Sequence, residues 1–100
     1  MLRQGIIVND NEPKPVTIIT GRVFRTKGGE PEGVHIFLVA PDDDSAVRTA
    51  LDALAKQGYA EAELDQIGDM DGPPDEEPHA SAYQGALEGE VSIVTFEQDI

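Results

Sequence analysis

The sequence predicts an α/β (α+β) two-layer sandwich with the element order β-β-α-β-α-β, and three observations carry that reading. β-branched runs alternate with stretches of helical periodicity, Gly and Pro punctuate each junction, and one hundred residues with 39% apolar content supply one modest core rather than two. The expected sheet is mixed and four- to five-stranded. Right-handed crossovers would place both helices on one face. Residues 1–15 read as an N-terminal arm, or a short strand plus loop, and residues 16–100 as a single domain.

Residues 9–15, Asn-Asp-Asn-Glu-Pro-Lys-Pro, contain no apolar side chain and two prolines, so they form a loop behind whatever residues 1–8 adopt. Val16 to Thr26 is rich in β-branched residues and predicts a strand. Its apolar phase slips between Ile18 and Val23, which makes Gly21 the place for a bulge. Lys27 to Gly33 is a turn-rich connection, and Gly28-Gly29 within it lacks the frame of a phosphate loop, so a hairpin turn accounts for it. The next strand, Val34 to Ala40, carries Ile36, Phe37, Leu38 and Val39 in succession. A consecutive apolar run needs cover on both faces, so this strand belongs in the centre of the sheet.

Pro41 closes that strand, and Asp42-Asp43-Asp44-Ser45 offers acceptors to the unpaired N–H groups of a helix start. Capping is a sufficient role for the three aspartates; a cation site is the alternative. Val47, Ala50, Leu51 and Leu54 fall at helical spacing and predict one buried stripe, which Gly58 terminates. Glu61 to Asp65 alternates strictly and predicts an edge strand with one wet face. After a loop from Gly68 to Pro78 with five acids and three prolines, Ala80, Tyr83 and Leu87 mark a short second helix ended by Gly89. Val91 to Phe96 is the last strand.

The formal charge of −13 opposes contact with phosphate backbones, so nucleic acid is excluded as a partner. The charge is also lopsided: residues 1–41 hold five Lys or Arg against four acids, and residues 42–100 hold two against sixteen. Cysteine is absent, which removes disulfides, thiolate metal ligands and thiol nucleophiles. The apolar run Ile6-Ile7-Val8 is too short for a signal peptide, and no stretch approaches the roughly 20 apolar residues of a membrane span. Cytoplasmic residence without membrane contact is the expectation.

Few residues have the look of a site. Asp69, Asp71, Asp75, Glu76 and His79 form the one cluster resembling a hard-cation loop, but prolines interrupt it and the spacing of a calcium loop is missing, so a solvated acidic loop is the simpler reading. His79 beside Glu76 or Glu77 is the candidate general acid or base, with no nucleophile identifiable nearby. His35, within an apolar strand, reads as a structural residue. Arg22, Arg25 and Lys27 are the candidate contact for an acidic partner or a second copy. No cofactor is implied. These features favour a non-catalytic module that binds another protein or itself, as a homodimer. The alternatives are a small enzyme or ligand-binding domain built on His79 and its carboxylates, and an acidic imitator of nucleic acid acting as an inhibitor or immunity protein.

Overall fold

In the computed structural model, which describes residues 15–97, the elements follow the expected order: β1 (Thr17–Phe24), β2 (Pro31–Leu38), α1 (Asp43–Lys56), β3 (Glu61–Asp69), α2 (His79–Leu87) and β4 (Ser92–Glu97). The expected arm, residues 1–15, lies almost wholly outside the described residues, as does the end of the tail.

The four strands form one sheet in the order β3-β1-β2-β4, and every neighbouring pair is antiparallel. The α+β sandwich and its element order hold, but the sheet is antiparallel rather than mixed. The reason is topological. Helix α1 carries the chain from β2 over β1 to β3, so the parallel strands β2 and β3 are never adjacent.

The two helices also lie on opposite faces rather than on one, so the sandwich has three layers rather than the expected two. Val34, Ile36 and Leu38 of β2 pack with Ala46, Ala50 and Leu54 of α1, whereas Phe37 packs with Ala82 and Ala86 of α2. Successive strand residues point to opposite faces, so this alternation places one helix on each side of β2. The connection from β3 to β4 joins antiparallel strands at opposite edges, and the handedness rule for parallel crossovers does not bind it. Strand β2 is central and covered on both faces, in keeping with its consecutive apolar run.

Local chemistry explains the boundaries. Asp42 caps α1, its Oδ1 accepting from Ser45 N at 2.8 Å, and this hydrogen bond holds the carboxyl below its usual range. Gly58, at φ 96°, closes the other end in the left-handed region, while Tyr59 N donates to Leu54 O. The register between β1 and β3 shifts at Thr20/Gly21, so the bulge sits at the expected glycine. The extra residue, however, is Asp65 on the partner strand. A Cβ on Gly21 would lie 2.8 Å from Leu64 Cα and closer still to Glu63 O, so the close approach of β3 requires a glycine.

The buried helix stripes differ from those expected. In α1 the buried residues are Ala46, Ala50 and Leu54, with Val47 partly covered and Leu51 42% exposed; in α2 they are Ala82 and Ala86, with Leu87 46% exposed. Both helices turn alanines toward the sheet, which lets their backbones sit close to it. The larger side chains then flank the contact. Among the described residues no helix is long and apolar enough to cross a membrane.

Candidate functional site

Alternation along β2 puts His35 on the α2 face, between Val34 and Ile36, which face α1. His79 is the first residue of α2, and the packing of Ala82 and Ala86 against Phe37 brings it over the sheet. The two rings meet: His35 Nδ1 lies 2.8 Å from His79 Nε2, with ring centroids 5.0 Å apart and planes at 64°. Both residues are half-buried.

Two phenylalanines wall the pair. Phe96 of β4 meets the His35 ring edge-on at 4.9 Å, and Phe37 meets His79 in the same manner at 5.6 Å. The Phe96 ring lies over Gly33, its register partner on β2, where any Cβ would collide with it. When both imidazoles are neutral, one N–H donates and the facing nitrogen accepts, in either of two tautomeric arrangements. Burial first, and the electrostatic influence of the neighbouring His79 second, push the His35 pKa below its ordinary value of 6.5. Sequence reasoning singled out the two histidines separately and missed their pairing. The signal lay in the face of α2, which the helix periodicity did not resolve.

The other candidate residues are dispersed. Asp69 ends β3, where its carboxylate accepts a long hydrogen bond of 3.4 Å from Thr17 Oγ1. Asp75 and Glu76 join Pro74 and His79 around an open cleft of about 320 Å³. Asp71 is exposed in the loop before it. Among the described residues, no three His, Asp or Glu side chains converge as a metal-holding group. Glu77 accepts from Ser81 N at 3.0 Å, and hydrogen bonding from the Ser81 side chain first and from this N–H second lowers its pKa, so one acid of the loop serves the start of α2.

Two of the three basic candidates are engaged within the chain. Arg22 pairs with Glu63 across β1 and β3. Arg25 donates to Glu32 at 2.9 Å and stacks over the Tyr59 ring at 5.1 Å. Lys27 is exposed in the hairpin turn.

The sheet edges differ sharply in character. The β3 edge carries Glu61, Glu63, Asp65 and Asp69 together with the bulge, both of which discourage strand addition. The β4 edge carries no proline and a single charge, Glu97 at its end, and Phe96 is 41% exposed. No strand among the described residues pairs with the outer side of β4.

Comparison of the chain with protein-family models, curated proteins and solved structures returned no match.

Proposed function

We propose that the protein is a non-catalytic binding module that associates with a second copy of itself through the outer edge of β4. The observation that carries this reading is the asymmetry of the two edges. An unpaired strand presents a row of N–H and C=O groups, and natural sheets blunt such edges with charge, proline or bulges. β3 combines four acids with a bulge, while β4 has no bulge or proline and only Glu97, at its end, as a charge.

A two-fold, antiparallel pairing of β4 with its copy would extend the sheet across the axis. The exposed part of Phe96 would then gain cover. A hundred-residue domain with a core built mainly from Val, Ile, Leu and Ala benefits from such additional burial. Arg22 and Arg25 already have partners within the chain, so strand pairing rather than a basic patch supplies the contact.

Charge determines how the association responds to salt. Two bodies of −13 repel, and raising the ionic strength from about 0.01 M to about 1 M shortens the screening length from roughly 30 Å to roughly 3 Å. Self-association through a strand whose one charge, Glu97, lies at its end therefore strengthens with salt. Sedimentation equilibrium across that range tests the reading, and dimerisation that weakens as salt is added contradicts it. Binding to basic proteins that is lost on adding salt would favour the nucleic-acid imitator instead.

A further inference from the structure

We propose that His35 and His79 together form a binding site for a divalent transition-metal ion that prefers tetragonal coordination, of the Cu²⁺ class. The inference starts from a distance. His35 Nδ1 and His79 Nε2, from elements 44 residues apart in sequence, face each other at 2.8 Å. Two imidazole nitrogens each about 2.0 Å from one metal lie about 2.8 Å apart when they occupy adjacent corners of a square plane, and about 3.3 Å apart in a tetrahedron. The existing separation thus matches adjacent corners of the square plane. Each ring has only to turn its lone pair from its partner toward a shared point beside the line joining them.

The surroundings suit this geometry. His35 stands on the central strand, and Phe96 and Phe37 pack edge-on against the two rings. An open cleft bounded by Pro74, Asp75 and Glu76 borders His79. No third protein ligand converges among the described residues, so water completes the plane. Imidazole is a preferred ligand of Cu²⁺, whereas the carboxylates scattered over the rest of the surface favour Mg²⁺ and Ca²⁺.

The sequence makes the test clean, because these are the only histidines and there is no cysteine. Cu²⁺ is titrated into the full-length protein at neutral pH, and pulsed EPR is used to count bound imidazoles through the modulation from their remote ring nitrogens. The proposal expects two imidazoles on one copper in the natural protein, one in His79→Gln or His35→Gln, and none in the double variant. Affinity should fall at least about tenfold with either single change. Circular dichroism of the metal-free variants verifies that they remain folded, and the spectrum of the natural protein decides the matter without them. One imidazole or none on copper in the natural protein overturns the proposal, as does an affinity left unchanged by either single substitution.

Discussion

Leu54 and Leu51 lie three residues apart on α1, and truncating each in turn tests how that helix is seated on the sheet. Leu54 is 2% exposed within the larger core cluster, whereas Leu51 is 42% exposed. Leucine to alanine removes three carbons, worth about 2.4 kcal/mol at about 0.8 kcal/mol per buried methylene. At Leu54 the vacated space is enclosed by Ile19, Ile36 and neighbouring core residues, so a cavity term adds to the transfer term and the total falls at about 2–5 kcal/mol. At Leu51 a little over half the residue is covered, and solvent fills the space left behind. About 1 kcal/mol is expected there. For a domain of this size the urea dependence is near 1 kcal/mol per molar, so the midpoint should drop by about 2 M or more for Leu54→Ala and by about 1 M for Leu51→Ala. Equal or reversed shifts would mean that the buried stripe is the one centred on Leu51, and the seating of α1 described above would be wrong.

Gly21→Ala should destabilise the protein more than Gly33→Ala, since the added methyl meets the β3 backbone at Gly21 but a rotatable Phe96 ring at Gly33; urea midpoints rank them, and the opposite order contradicts the close β1–β3 approach at the bulge. The Asp42 carboxyl titrates below its ordinary value of 3.8 because it accepts from Ser45 N. A depressed carboxylate contributes stability that is present above its unfolded pKa and lost as the pH falls through its folded one. Asp42→Asn keeps an acceptor but removes the ionisation, so its stability should decline less steeply than that of the natural protein below about pH 4, as followed by thermal melts at stepped pH. An unchanged acid slope would show that the cap carries no linked proton.

Much of the fold is legible in local chemistry. The run Ile36 to Val39 identifies the central strand, Asp42 and Gly58 delimit α1, and the phase slip around Gly21 marks the bulge. Each of these is a short-range signal that no distant contact overrides. The faces chosen by the helices are another matter. A consecutive apolar run already requires cover on both sides of β2, but placing both helices together follows from treating the connections as parallel crossovers, and neither joins adjacent parallel strands. The helix stripes differ from the expected ones for a related reason. Large residues dominate a periodicity count, whereas Ala46, Ala50, Ala82 and Ala86 make the close contacts. The meeting of His35 and His79 depends on all of these long-range choices at once, which is why residues 44 apart gave no sign of it in sequence.

Light scattering on the natural protein and on Thr95→Lys, in moderate salt across a concentration series, tests the β4 edge most directly. Thr95 lies within the edge strand, opposite Val34 of β2, and a lysine there sets like charges close together at a two-fold strand pair while making the net charge less negative. The natural protein should rise toward twice its mass of 10.7 kDa as concentration increases, and Thr95→Lys should stay at 10.7 kDa although its long-range repulsion is weaker. A mass of 10.7 kDa for the natural protein at every concentration, or equal dimerisation of both proteins, would contradict self-association through β4.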